Sequence, residues 1–385
     1  DIVTLDSGTT GLAAVIDGGT GIDTLEMFVA DANGVTDGTF EAKISGFEKL
    51  GLTATLAAAV IDLSLFDDID YVISAGTGNG FKLDLTNMAN NGTLELTGDT
   101  SAGDDITVTV ANASGNTDKF NIVTKVDAAD IDFDGAVKVA NVEIININAI
   151  DSSTDISIEE ASLIVTANLA KTVNVTGSSK VDLDLAGSTL VTLIDATNLT
   201  GALTATTDVS TSAATIKGGS GDDVLTATTT KDKLYGNVGA DTLIVADDAN
   251  LVQLYGGTGI DTYIIGIATN SNGYATINGT KAELSGDIIK FGAPLAIIPI
   301  DLSNSLAKID NLGSTADFQD YANEAAKGSA SAGSEITSWF QFEGNTYVIQ
   351  DSSPGDSFVN GADAVVKITG LVDLTFNVNG TLEIA

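Results

Sequence analysis

The sequence predicts an all-β chain. Its centre is a parallel β-roll or β-solenoid, flanked by further β modules and closed by a small C-terminal cap with one short helix. Three observations predict this. First, residues 218–264 divide into nine-residue segments, with one of eleven: GGSGDDVLT, ATTTKDKLY, GNVGADTLI, VADDANLVQLY and GGTGIDTYI. The first, third and fifth follow G-G-x-G-x-D-x-U-x, where U is a large apolar residue. Second, the apolar position survives in the segments that have lost their glycines, so Leu225, Leu234, Leu243, Leu254 and Tyr263 form one series. Third, strand-like runs recur about every ten residues from 161 to 217, as successive faces of a solenoid require.

Within each nine-residue unit the first six residues turn and the last three form a short strand. Glycines admit left-handed backbone angles, so carbonyl oxygens can point inward. Two units make one coil, which stacks the turn of Asp223 on that of Asp241, and Asp241 on Asp261. Carboxylates on adjacent strands lie ~4.8 Å apart. At that separation they repel by roughly 0.9 kcal/mol in water and about 3.5 kcal/mol at an effective dielectric of 20. A cation between them removes the conflict. Carboxylates combined with turn carbonyls suit a hard ion with six to eight oxygen ligands, which describes Ca2+. One Ca2+ is expected between the turns of Asp223 and Asp241, and another between those of Asp241 and Asp261. The plainer alternative is a Gly- and Asp-rich loop region without metal.

Composition narrows the function. The chain has 385 residues, a formal charge of −37, 16 basic residues that are all Lys, and neither His nor Cys. Such acidity argues against nucleic-acid binding and against charge-driven attachment to an anionic membrane. Without Cys there is no disulfide framework and no zinc–thiolate site. Without His there is no Ser-His-Asp, Cys-His or H-E-x-x-H chemistry, and no G-x-S-x-G occurs, so catalysis is not expected. Acid pairs such as Asp222/Asp223 and Glu159/Glu160 are a poor fit to glycosidase chemistry, because adjacent strand residues face opposite ways. No apolar run is long enough to span a bilayer.

The elements follow in chain order as three expected domains: 1–160, 161–265 and 266–385. Asp1-Ile2-Val3-Thr4-Leu5 reads as the end of a repeat cut at its sixth position, as in the C-terminal part of a longer protein. Gly18, Gly19, Gly21 and Asp23 form another repeat, GGTGIDTLE; a Gly-rich hairpin turn is the alternative. If Asp1 is also a sixth position, Asp1 and Asp23 face each other in adjacent coils. Ile44–Leu52 (ISGFEKLGL) and Val139–Ile147 (VANVEIINI) each place a Glu, Glu48 or Glu143, just before an apolar strand, as corresponding parts of a weak internal repeat. Ile106–Val110 and Phe120–Val123 read as strands, while Ala54–Phe66 fits either a short helix or a strand. Asp67, Asp68 and Asp70 suggest a solvated loop or an accessory Ca2+ site. Further strand-like runs are 163–165, 173–175, 181–185, 191–194 and 202–204; a β-sandwich would space them similarly. Asp287–Phe291 reads as a closing strand. Asp317–Lys327 (DFQDYANEAAK) reads as a helix stopped by Gly328. Trp339–Phe342 and Thr346–Ile349 read as a hairpin around Glu343-Gly344-Asn345. Its aromatics are expected to form a capping core, completed by Val365–Ile368 and Leu382–Ala385.

Through its nonapeptides the sequence resembles the RTX proteins. It is more closely similar to RTX-type surface-layer proteins of Gram-negative bacteria, through VANVEIININAIDSSTD (139–155) with ISGFEKLGL before it, the Thr/Asn-rich region 161–217, and WFQFEGNTYVIQDSSPGDSFVNGADAVVKITGLVDLT (339–375). The resemblance implies a secreted, extracellular protein that self-assembles on Ca2+ into a two-dimensional array on the cell surface. It also implies a type I secretion signal from about residue 300 onward. Lipopolysaccharide attachment would reside in a region not contained in this chain. Ligand roles for multiple Ca2+ ions carry over onto Gly18, Gly19, Gly21, Asp23, Gly218, Gly219, Ser220, Gly221, Asp223, Gly236, Asn237, Gly239, Asp241, Gly256, Gly257, Thr258, Gly259 and Asp261. Asn237 and Val238 depart from the motif and imply weaker binding at that turn. Segments 227–235 and 245–255 lack it, so the opposite side of the roll is expected to carry little or no Ca2+. An RTX adhesin, or the secretion module of an RTX enzyme, is the alternative reading.

Overall fold

The computed structural model describes residues 1–8, 12–53, 58–66, 68–76, 82–98, 102–126, 131–153, 158–207, 210, 212–267, 273–292, 306–327, 336–376 and 382–385. Residues 54–57, Asp67 and Gly328, which figure in the expectations above, fall outside that set. The fold is mostly β, with large parallel sheets. It divides into two compact units, Asp1–Gly201 and Ala202–Ala385, and the division falls inside the segment 161–265.

In the first unit one sheet is built from Ile2–Thr4, Thr24–Phe28, Lys49–Thr53, Tyr71–Ser74, Thr93–Leu96, Lys119–Val126, Ile144–Asp151, Thr172–Gly177 and Leu193–Leu199. Each pairs in parallel with the next. A second parallel sheet takes Ala59–Asp62, Leu83–Met88, Ile106–Val110, Ile131–Ala140, Glu160–Ala167 and Lys180–Asp184. From Ala59 onward the chain alternates between the two sheets. The period-2 pattern sends one set of side chains inward. Leu25, Leu50, Val72, Leu94, Ile122, Ile147 and Val175 stand in register as one buried column. On the other face Asn121, Asn146 and Asn174 are in register. Their amides donate along the row, Asn146 Nδ2 to Asn121 Oδ1 at 2.8 Å and Asn174 Nδ2 to Asn146 Oδ1 at 2.9 Å. Asn is a poor strand former, and this amide ladder is what makes the repeated Asn tolerable.

Sequence expectations hold for Ile106–Val110, for 120–123, and for the runs within Glu160–Ala167 and Thr172–Gly177, while the run 181–185 is a strand only as far as Asp184. The run 191–194 begins its strand only at Leu193, because Val191 N–H donates to Ser188 O in a turn. The ambiguous stretch before Phe66 holds a strand, Ala59–Asp62, and a 3₁₀ turn, Leu63–Leu65. The hairpin alternative for Gly18–Asp23 is corrected. Thr24–Phe28 pairs in parallel with Ile2–Thr4 and Lys49–Thr53, and Ile16–Asp17 pairs in parallel with Ile44–Ser45.

The second unit repeats the arrangement. Thr215–Lys217, Lys233–Val238, Gln253–Thr258 and Ala275–Ile277 form one parallel run. Leu203–Thr206, Val224–Ala227, Thr242–Val245, Thr262–Ile265 and Ile288–Phe291 form the other. The apolar series is therefore split: Leu225, Leu243 and Tyr263 stack in one sheet, Leu234 and Leu254 in the other, and all five are fully buried.

C-terminal strands end both runs, one antiparallel and one parallel. Leu382–Ile384 pairs with Ile288–Phe291, and Ala364–Ile368 lies parallel to Ala275–Ile277 while pairing antiparallel with Asn345–Asp351. The expected hairpin joins Ile336–Phe342 to Asn345–Asp351. Its turn is two residues, Glu343 (φ 46°) and Gly344 (φ 76°), both left-handed as a tight hairpin requires. The expected helix is Phe318–Ala325, capped by Asp317 and Asp320 in a reciprocal box. It packs Tyr321, Ala322 and Ala325 onto Phe340, Tyr347, Ile349 and Val365. Trp339 alternates away from this cluster and carries the Lys308 ammonium 4.4 Å from its ring. The expectation of a single short helix is also corrected. Val29–Asn33 is a helical turn, and Lys281–Leu284 is another within the cap region, nucleated by a Thr280–Glu283 capping box.

Candidate metal centre

Strand register places Asp223, Asp241 and Asp261 one above another, each just ahead of its strand. All three are buried, with 1% exposure or less. Each carboxylate accepts a backbone N–H from a segment earlier in the chain. Leu203 N–H donates to Asp223 Oδ1 at 2.6 Å, and Asp223 N–H to Asp241 Oδ1 at 2.8 Å. Asp241 N–H donates to Asp261 Oδ1 at 3.0 Å. The ladder then continues one rung further than the repeats: Asp261 N–H donates to Asp287 Oδ1 at 2.9 Å. Rung spacings of 18, 20 and 26 residues lie along this row. Asp287 follows a single glycine at an irregular interval, so the nonapeptide pattern misses it. The Gly286-Asp287 pair just before an apolar strand is the only sequence trace of it.

The second carboxylate oxygens differ. Asp223 Oδ2 accepts Gly219 N–H at 2.8 Å. Asp241 Oδ2 and Asp261 Oδ2 are buried and have no hydrogen-bond partner. Each lies directly over the first glycine of its own repeat, so a Cβ at Gly236 or Gly256 would collide with it; Gly218 holds Asp223 Oδ2 in the same way. Around the turns the backbones touch. A Cβ on Gly239 (φ 136°) would strike Gly221 O, and one on Gly259 (φ 139°) would strike Gly239 O. Asn237 stands at the second glycine position with φ 76°, a left-handed angle that Asn tolerates. Its Nδ2 donates to Gly218 O at 2.7 Å, which occupies one lone pair of that carbonyl. Gly257 packs against Asn237 O. Ser220 and Thr258 sit at the exposed tips, where Thr258 O accepts Gly239 N–H at 3.0 Å.

The donor set fits a hard cation. The unpartnered Asp241 Oδ2 and Asp261 Oδ2 supply charge, and the stacked turn carbonyls keep a second lone pair each. The ladder is a row rather than a cluster. Among the described residues no three Asp, Glu, His or Cys side chains gather into one metal-binding group. An ion here would take two carboxylates and complete its shell with carbonyls.

The opposite side of the same unit is built differently. Asp232 is equally buried, yet its carboxylate accepts four donors. They are Ala214 N–H (2.8 Å), Thr229 N–H (2.8 Å), Thr229 O–H (2.8 Å) and Thr207 O–H (2.6 Å). Hydroxyls and amides neutralise there what the other side leaves open.

The first unit has its own ladder. The N-terminal ammonium of Asp1 contacts Asp23 Oδ1 at 2.5 Å, and Asp23 N–H donates to Glu48 Oε2 at 2.8 Å. Asp1 and Asp23 are thus adjacent, and Glu48 occupies the next rung. Asp118 N–H donates to Glu143 Oε2 at 3.1 Å, so Glu48 and Glu143 do correspond. Asp23 Oδ2 is buried without a partner. Gly18 packs against Gly46 O of the neighbouring turn, while Gly19 and Gly21 have φ of 98° and 130°. Asp68 and Asp70 are exposed, as a solvated loop requires.

Burial dominates the titration of the ladder. It pushes Asp223 to about 6, against the pull of the Leu203 and Gly219 amides. It pushes Asp241 to about 7, helped by the like charges of Asp223 and Asp261. Asp261 is raised by burial, and Asp287 rises to about 6 for the same reason. Stacked carboxylates out of water hold protons near neutrality unless a cation replaces them.

No protein-family model matches the chain, and no curated protein matches it. No helix among the described residues is long and apolar enough to cross a membrane.

Proposed function

We propose that this chain is a Ca2+-dependent structural module of an RTX-type surface-layer protein. In this reading its parallel strands are the coils of a β-roll within a β-solenoid. The observation that carries the proposal is the buried ladder of Asp223, Asp241 and Asp261, with unpartnered oxygens on Asp241 and Asp261 over the glycine turns. Ca2+ between successive rungs would supply the positive charge that the fold omits. The ligands would be the carboxylates with the carbonyls of Gly218, Gly219, Ser220, Gly221, Gly236, Asn237, Gly239, Gly256, Gly257, Thr258 and Gly259. Asp23 with Gly18, Gly19 and Gly21 would hold a further ion.

The protein is secreted by a type I route and acts outside a Gram-negative cell. There Ca2+ both rigidifies the roll and bridges acidic surfaces of neighbouring copies into a two-dimensional array. A net charge of −37 makes unbridged copies repel, which gives Ca2+ control over assembly. The partners are further copies of itself and the secretion machinery. No catalytic role is assigned. Electron microscopy and light scattering of the purified chain, titrated with Ca2+ and then with chelator, test the proposal. Ordered sheets that form with Ca2+ and dissolve with chelator support it. A chain that gains structure with Ca2+ but stays monomeric favours an adhesin or a secretion module of a secreted enzyme.

A further inference from the structure

The last interval of the aspartate ladder differs from those before it, and the difference lies in one hydroxyl. At Gly218 and Gly236 the space above the glycine is shared by the carboxylate of its own repeat and the carbonyl of the next glycine turn, Gly236 O or Gly256 O. At Gly256 the carboxylate of Asp261 is again there, but the second neighbour is the Tyr263 hydroxyl. Tyr263 occupies the apolar position that is Leu225 and Leu243 in the coils below. Its ring is fully buried, and its O–H donates to Asp287 Oδ2 at 3.0 Å. Asp287 Oδ1 accepts Asp261 N–H, so both Asp287 oxygens have donors.

Resting on the Ca2+ reading above, we infer that the metal row stops at Asp261, and that the Tyr263 hydroxyl closes the Asp261–Asp287 interval in place of an ion. The hydroxyl gives its hydrogen to Asp287 Oδ2, so Asp287, unlike Asp241 and Asp261, keeps no oxygen without a donor. An ion between Asp261 and Asp287 would have to displace the Tyr263 donor from Asp287. The same substitution is complete at Asp232, where Thr207 and Thr229 hydroxyls take the place of a cation. Leu has no such group, which is why Leu225 and Leu243 leave their intervals open. Tyr263 thereby acts as a positioning residue that ends the metal row.

Native mass spectrometry of the Ca2+-loaded chain tests this, together with thermal melts in Ca2+ and in chelator. Asp287→Asn is expected to keep the wild-type number of ions, whereas Asp241→Asn loses at least one. Tyr263→Phe is expected to lower Tm by a similar amount in Ca2+ and in chelator, because the hydroxyl acts without metal. An Asp287→Asn chain with one ion fewer, or a Tyr263→Phe penalty confined to Ca2+, would overturn the inference and make Tyr263 a metal-site residue. A wild-type chain that binds no Ca2+ would instead overturn the reading on which the inference rests.

Discussion

Asp241 carries the sharpest conflict at the scale of single residues. It is buried between two like charges with one oxygen unpartnered, an arrangement that costs stability unless a proton or cation is present. Asp241→Asn keeps an acceptor for Asp223 N–H but removes the charge. Its melt in chelator is expected to match or exceed wild type, and its gain on adding Ca2+ to shrink. At Ca2+ 100-fold above Kd, a lost site removes about 2.7 kcal/mol of stabilisation. Proton linkage has a definite sign. Carboxylates raised to about 6 for Asp223 and Asp287 and about 7 for Asp241, from roughly 3.9 unfolded, make the folded metal-free chain bind more protons. Their favourable contribution is therefore full below about pH 4 and is lost as pH rises through about 6–7. Ca2+ requires the deprotonated form, so apparent Ca2+ affinity falls as pH drops below about 7. Melts across pH in chelator and in Ca2+ are expected to show these opposite slopes. Asp223, Asp241 and Asp261 were legible because three glycine turns announce them. Asp287 belongs to a rung whose spacing follows loop length, and a fixed period does not find it; Asp1 opposite Asp23 and the Glu48–Glu143 correspondence were legible from local motifs instead.

Among the elements, the strands follow from side-chain alternation, and their boundaries from turn hydrogen bonds. The outer Asn row shows why propensity alone misleads: each Asn weakens its strand, and the amide ladder restores it. Asn146→Ala breaks two rungs at once and is expected to cost about 1–2 kcal/mol in denaturant melts, at about 1 kcal/mol per hydrogen bond. In the cap, Asp317→Ala removes a helix cap and is expected to cost about 1 kcal/mol. Phe340→Ala empties the aromatic cluster under that helix and is expected to cost about 3–5 kcal/mol. The helix at Phe318–Ala325 was readable from its apolar face and its Gly stop. Lys281–Leu284 was not, because a single turn has no periodicity; only the Thr280–Glu283 box marks it.

Across the whole molecule, a charge of −37 opposes compaction, and the buried carboxylates add to that opposition. Parallel pairing is also non-local, with rungs 18 to 28 residues apart, so the strands gain little from neighbours in sequence. Hydrogen exchange at the Leu225, Leu243 and Tyr263 amides is expected to slow on adding Ca2+, while exchange at the cap strands changes less. The β class was legible from alternation and turns alone. The division at Gly201 was not, since strand spacing continues across it and only packing reveals it. The most direct measurement is an anomalous X-ray difference map of crystals grown in Ca2+. Peaks between Asp223 and Asp241 and between Asp241 and Asp261, with none between Asp261 and Asp287, are the expected result. A map without density beside Asp241 would contradict the Ca2+ ladder itself.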